Sequence, residues 1–215
     1  MEDLTLRRET PADYEAVEGL IRAAFYNRYV PGCSEHYLAH ILRGHPDFIP
    51  ELDLVAEAGG ELVGSIMYTK SFLTDEDGAE KGILTFGPIA VRPDRQRRGI
   101  SRVLIEESLK KARELGYEAV VIVGDPDNYV SRGFVSAKRL GISLPDGSFP
   151  AAMLALELAP GALAGHRWRY RESPAYEFDP AAAEAFDAAL PPLEKKELPC
   201  QQSFWILSQA TLPAE

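Results

Sequence analysis

Val91-Arg92-Pro93-Asp94-Arg95-Gln96-Arg97-Arg98-Gly99-Ile100-Ser101-Arg102 is the stretch on which the reading of this chain turns. Five arginines and one aspartate fall within residues 92–102, a local charge of +4 on a chain of −10. Arg97 and Arg98 stand at a predicted helix start, where the macrodipole disfavours cations by up to ~1 kcal/mol each. Helix stability therefore does not explain them, whereas a bound anion does. A helix N-terminus presents unpaired backbone N–H groups, Gly99 permits close approach of a phosphate, and small Ser101 keeps the start open. The other reading is a solvated arginine cluster on a surface turn. The stretch lacks the Lys-Ser/Thr of a nucleotide-binding P-loop and the three glycines of a dinucleotide fingerprint.

Upstream, Leu4 to Arg7 reads as a strand. Thr10-Pro11-Ala12-Asp13 then opens a helix with a hydroxyl cap, an early proline and an acid in the first turn. Val17, Leu20, Ile21, Ala24 and Phe25 follow at helical spacing. A shorter helix is predicted over Glu35 to Leu42. Leu52 to Ala58 and Glu61 to Phe72 are strand-like around Gly59-Gly60, and Gly82 to Val91 should return antiparallel after Asp75-Glu76-Asp77-Gly78. Gly87-Pro88 lies inside that last run, where proline cannot donate to a ladder, so a bulge or parting of strands is expected.

Downstream, a helix from about Gly99 to Leu115 stops at Gly116, and Ala119 to Val123 is a short apolar strand. Asp127 to Ser131 reads as a brief helix. Leu140 to Leu144 and Ala152 to Leu158 are strand candidates about a Pro145-Asp146-Gly147 turn. Asp179-Pro180 starts an alanine-rich helix closed by Pro191-Pro192, and Ser203 to Leu207 is a candidate last strand. This order indicates a mixed α/β domain.

The 215 residues, 46% apolar and 26% charged, suit one large soluble globular domain, or one domain with a substantial C-terminal extension. A net charge of −10 argues against a nucleic-acid surface. Cys33 and Cys200 lie far apart without metal-ligand spacing, which fits a reducing cytoplasm. No signal-peptide core or membrane-spanning run is evident, so a cytoplasmic location is expected, with neither membrane nor nucleic acid as partner.

Gln96-Arg97-Arg98-Gly99-Ile100-Ser101 resembles the Gln/Arg-x-x-Gly-x-Gly/Ala motif of the GNAT superfamily of acetyl-CoA-dependent N-acyltransferases, with serine at the last position. Ile89-Ala90-Val91-Arg92-Pro93-Asp94-Arg95-Gln96 is similar to that family's preceding strand, and Tyr129-Val130-Ser131-Arg132-Gly133-Phe134 to its Tyr-x-x-x-Gly-Phe segment. Asp125-Pro126-Asp127-Asn128-Tyr129, with Phe149 to Met153 and Leu158 to Leu163, looks like the YhbS-like branch. The resemblance covers about residues 4–158.

The resemblance implies a mostly antiparallel central sheet with parted strands, flanked by helices. It divides the chain into a catalytic acyl-CoA-binding unit, residues 1–160, and an α/β extension, residues 161–215, packed on it near the substrate pocket or an interface. It implies transfer of an acetyl group from acetyl-CoA directly to a small-molecule or protein amine, without a metal; the alternative is a silent acyl-CoA-binding module. A homodimer would be in keeping with similar proteins. Backbone N–H groups of Arg97, Arg98, Gly99, Ile100, Ser101 and Arg102, with Gln96, would hold the pyrophosphate. Ile89, Ala90 and Val91 would run beside the pantetheine arm, with a freed N–H polarising the thioester oxygen. Tyr129 would protonate the leaving thiolate, or else packs beneath the strand at Phe134. Asn128 contacts the pantetheine amide or caps a helix; Arg132 reaches a phosphate or is solvated.

The general base is open among Glu80, Glu51, Asp53, His36, His40 and His45. His36 and His40 share an i, i+4 spacing but lack a third ligand. Cys33 has no evident nucleophile partner. Trp168, Tyr170 and Tyr176 either wall a pocket or pack as cover. Net acidity hints at a cationic amine acceptor.

Overall fold

The computed structural model describes residues 4–213; the outer ends of both expected units, 1–3 and 214–215, lie outside the described residues. The first half runs β1 (Leu4–Arg8), α1 (Tyr14–Phe25), α2 (Glu35–Leu42), β2 (Leu54–Ala58), β3 (Glu61–Thr74) and β4 (Glu80–Val91). Next come α3 (Ile100–Glu114), β5 (Ala119–Val123), α4 (Pro126–Tyr129), β6 (Val135–Ser136), β7 (Ile142–Ser143), β8 (Phe149–Pro150) and β9 (Met153–Glu157). The C-terminal part holds β10 (Trp168–Arg171), α5 (Pro180–Ala188), α6 (Pro199–Gln209) and β11 (Thr211–Leu212).

The main sheet has the order β1-β2-β3-β4-β5-β9-β6, antiparallel except where β4 meets β5. Along β3, Ile66 and Tyr68 face one way and Met67 the other, as strand alternation requires. Ile66 and Tyr68 join the core under α3, with Ile100, Leu104, Ile105 and Leu109. Met67 joins the core under α1 and α2, with Val17, Leu20, Ile21, Leu38 and Leu42. The helices therefore cover opposite faces, and burying each of these large apolar side chains contributes roughly 1.5–3 kcal/mol. Tyr68 and Ser108 share a buried hydrogen bond of 2.8 Å that ties α3 to β3.

The expected irregularity in β4 is present. Ile66 pairs with Ile89 and Tyr68 with Phe86, so Gly87 and Pro88 together oppose the single Met67, a bulge carried by β4. β4 and β5 are in register only at Leu84 and Val120, and beyond that point they part. Thr85 marks the fork. Its hydroxyl donates to the Val121 carbonyl (2.9 Å) and so accepts from Ser71 (2.9 Å) and Tyr170 (2.6 Å), filling its one donor and two acceptor positions.

One expected strand is corrected. Ser203 to Leu207 lies within helix α6, not in a strand. The run Ser203-Phe204-Trp205-Ile206-Leu207 is apolar enough for either structure, and short apolar runs do not discriminate by periodicity. The start decides: Pro199 occupies the first turn, and the Gln201 side chain accepts from the Leu198 N–H (3.1 Å). The strand expected over Leu140 to Leu144 contracts to Ile142–Ser143, because residues 137–140 form a 3₁₀ turn that ends at left-handed Gly141.

Residues after 160 contribute directly to the sheet. β10 pairs antiparallel with β3 at Phe72 to Thr74 and parallel with β7. Trp168 and Tyr170 are buried there with Leu73, Ile83 and Val121.

Candidate active site

Where β4 and β5 part, a cavity of about 510 Å³ opens. Its walls come from four directions. β4 supplies Ile89, Ala90 and Val91; the loop and start of α3 supply Gln96, Arg97, Gly99, Ile100 and Ser101; α4 and the turn after it supply Asn128, Tyr129 and Arg132. Thus segments spread from residue 89 to residue 132 converge on one space. The fourth wall, Phe25, Arg28 and Tyr29 at the end of α1, had no counterpart in the sequence reading.

The arginine loop has the backbone of an anion receptor. Arg97 (φ 62°) and Gly99 (φ 84°) are both left-handed, a pattern found where successive N–H groups form a concave nest. For arginine that conformation costs on the order of 1 kcal/mol or more, strain that the loop retains. Gly99 precedes α3, and a Cβ built there would meet nothing within 4 Å, so space lies open above the first turn. Gln96 closes the loop by donating from Nε2 to the Val91 carbonyl (3.1 Å). The arginines divide by role. Arg92 pairs with Asp94 (2.7 Å) and Glu61 (3.0 Å), and Arg95 lies 3.4 Å from Asp94. Arg98 donates to the Asp94 carbonyl (3.3 Å), and Arg102 stands 3.8 Å from Glu106; their side chains lie outside the cavity lining. Arg97 and Arg132 line it.

Tyr129 sits on the same space, its ring packed at 5.8 Å from Phe86 and 5.9 Å from Phe134. Gly124 makes room for it: a Cβ there would come within 2.6 Å of Tyr129 Cε2. Burial pushes the phenol up to about 12, with Tyr29 and Asp125 adding to the rise and Arg132 and Arg28 opposing it. The cap of α4 is Asp125, which accepts from the Asp127 N–H (3.0 Å), so Asn128 is left facing the cavity. Arg132 donates to the Asn128 carbonyl.

Comparison with known proteins decides the family. Residues 15–142 match the acetyltransferase (GNAT) family. The chain belongs to the GNAT acetyltransferase family. It is 31% identical over 132 residues to the uncharacterized N-acetyltransferase YhbS of Escherichia coli strain K12, covering 61% of this chain and 73% of that protein. The crystal structure of Escherichia coli YhbS in complex with CoA superposes with a TM-score of 0.71 at 26% identity, over 83% of this chain and 94% of that one. A GNAT acetyltransferase from Brucella melitensis in complex with acetyl-CoA gives a TM-score of 0.63 at 26% identity, over 82% and 99%.

In this GNAT chain the candidate bases lie away from the cavity. Glu80 pairs with Arg171 on the surface (2.7 Å), and Glu51 is exposed. Asp53 is buried, and desolvation, then its neighbour Glu9, pushes its carboxyl well above the usual carboxylate range. His40 lies 3.1 Å from Glu18 and His45 3.8 Å from Asp47. His36 is wholly buried, 3.1 Å from Asp187, and burial lowers its basicity. Cys33 Sγ lies 3.4 Å from His36 Nδ1, but burial, Glu35 and Asp187 push its thiol up to about 12, which leaves it inert as a nucleophile. Trp168 and Tyr170 are core residues, while Tyr176 donates to the Gly87 carbonyl (3.1 Å) at the bulge. Among the described residues no group of three or more His, Cys, Asp or Glu side chains could hold a metal, and no helix is long and apolar enough to cross a membrane.

Proposed function

We propose that this chain transfers an acetyl group from acetyl-CoA to an amine by direct attack, in the cavity between β4, α3 and α4. The observation that carries the reading is convergence: a strained, arginine-bearing helix start, an unpaired strand edge and a hydroxyl donor share one space. The residues suit the coenzyme. The open volume above Gly99 accommodates a pyrophosphate, which the backbone of residues 97–102 would hold with the Arg97 side chain. The β4 backbone at Ile89, Ala90 and Val91 would pair with the pantetheine arm, with Asn128 at its amide and Arg132 at a phosphate. When bound, acetyl-CoA supplies the acetyl group as a thioester.

The chain's own groups then divide the work. Beyond Leu84 the β4 edge is released from β5, so an N–H at or next to Ile89 is available to polarise the thioester oxygen. Tyr129, whose phenol keeps its proton at neutral pH, donates from its hydroxyl to the departing sulfur. No carboxylate or imidazole lines the cavity among the described residues, so the amine arrives neutral or gives its proton to water. We place the reaction in a reducing cytoplasm, in keeping with free Cys33 and Cys200, and retain residues 1–160 and 161–215 as catalytic unit and supporting extension. A homodimer follows from the family resemblance, and light scattering tests it.

The deciding experiment compares wild type with Tyr129→Phe. Acetyl transfer should fall at least tenfold while calorimetric affinity for CoA persists. Equal turnover in the variant removes Tyr129 from the chemistry. Tighter binding of ATP than of CoA overturns the assignment of the cavity.

A further inference from the structure

The wall formed by the end of α1 has a character of its own, and its reading rests on the transferase assignment above. Arg28 and Tyr29 lie in the turn after α1 and line the cavity together with the α3 loop. Their backbone is fastened by the C-terminal segment. Left-handed Asn27 (φ 61°) donates from Nδ2 to the Glu194 carbonyl (2.8 Å), and its Oδ1 accepts from the Lys196 N–H (2.9 Å). Gln201 donates to the Asn27 carbonyl (3.0 Å), Tyr26 donates to the Leu193 carbonyl (3.0 Å), and Phe204 packs on Tyr29 at 4.4 Å. A turn of ordinary surface character would not need so many ties. They hold the turn that carries Arg28, whose exposed side chain extends its guanidinium over Tyr29.

That guanidinium lies 5.5 Å from the Tyr29 ring centre and, among the described residues, is in no ion pair. Other cavity arginines have evident business: Arg97 belongs to the phosphate loop, and Arg132 braces the α4 turn. Arg28 comes from the end of α1 and lines the same cavity as Tyr129, as Tyr29 does. The lining includes three arginines and no carboxylate, although the chain as a whole is at −10. A polycation drawn by the overall charge would meet repulsion here. An anionic group would meet a planar guanidinium suited to two-point recognition, carried on a turn fastened by the C-terminal segment.

We infer that Arg28 is a specificity residue, held by the 193–204 strap, and that it receives a carboxylate or phosphate carried by the amine acceptor. The test uses matched amines that differ in the anionic group: lysine against cadaverine, arginine against agmatine, tyrosine against tyramine, and phosphoethanolamine against ethanolamine. Turnover is read as released CoA thiol, and CoA affinity by calorimetry. At least one acceptor bearing the carboxylate or phosphate should exceed its partner lacking that group tenfold or more in kcat/KM. The amino-acid pairs and the phosphoethanolamine pair separate carboxylate from phosphate as the group read. Arg28→Gln should abolish that preference through acceptor KM, with CoA affinity within twofold of wild type, and Arg28→Lys should restore part of it. Equal or better turnover of the amines lacking the anionic group, or silence of every acceptor that carries it, overturns the inference. A tenfold loss of CoA affinity in Arg28→Gln also overturns it, because Arg28 would then serve the coenzyme. Failure of CoA to bind wild type is the separate result that would sink the transferase reading itself.

Discussion

At the scale of single residues, the site depends on small side chains as much as on reactive ones. Tyr129 reaches the cavity because Gly124 has no Cβ, and the ring cannot swing away freely between Phe86 and Phe134. Gly124→Ala should therefore lower kcat several-fold or more with little change in CoA affinity, since the clash moves the phenol and leaves the phosphate loop alone; steady-state kinetics and calorimetry check this. Asp53 offers a prediction on stability. The folded protein binds its proton more tightly than the unfolded chain, because desolvation and Glu9 raise the carboxyl above its ordinary value. The stability that proton confers is complete below the ordinary carboxylate pKa of about 4 and is lost progressively as pH rises through the elevated folded value. Asp53→Asn, which keeps a donor towards Glu9 without the titration, should raise the melting temperature more at pH 8 than at pH 5. An equal shift at both would show that Asp53 does not carry this dependence.

At the scale of elements, α3 is both a core helix and the floor of the loop proposed to hold the pyrophosphate. Its approach to β3 is set by Gly64, where a Cβ would meet Leu104 Cδ1 at 3.0 Å, Ile100 Cγ2 at 3.1 Å and the Ala90 carbonyl at 3.2 Å. Gly64→Ala pushes the first turn of α3 outward. An overpacking cost of about 1–3 kcal/mol is expected, visible as a fall of roughly 3–10 °C in melting temperature. CoA affinity should weaken in parallel, because Ile100 shares the turn that presents the N–H groups. Unchanged CoA affinity at a lowered melting temperature would uncouple core packing from the loop. The segment around α6 is the counterpart on the opposite wall, acting through Asn27 and Tyr29 and not through the sheet.

At the scale of the whole molecule, the distribution of charge matters more than its sum. Carboxylates are spent on pairs away from the site, such as Glu9 and Glu18 with Arg43 and Asp187 with Arg22, while the cavity keeps its arginines. With no base on the lining, log(kcat/KM) should rise with unit slope up to the ammonium pKa of whichever acceptor is used. Rate profiles for two amines of different basicity check this: the inflection should move with the amine. A common inflection near pH 6.5, shared by both, would reveal a protein base.

The reading from sequence reached far where the determinants are local. Helix starts at Thr10-Pro11 and Asp179-Pro180, the turn at Gly59-Gly60, the bulge at Gly87-Pro88 and the loop before the α3 helix at Gln96 to Gly99 each rest on backbone preferences that a few adjacent residues set. It stopped where the determinant is a distant partner. Whether Ser203 to Leu207 is helix or strand depends on a start at Pro199 and Gln201 that its own apolar pattern does not display. The inertness of Cys33 and the raised carboxyl of Asp53 depend on burial by segments far along the chain. The placing of Arg28 and Tyr29 on the cavity depends on bonds to residues more than 160 positions away. Spacing and composition carry no information about such contacts, because desolvation and pairing arise only once the chain has folded on itself.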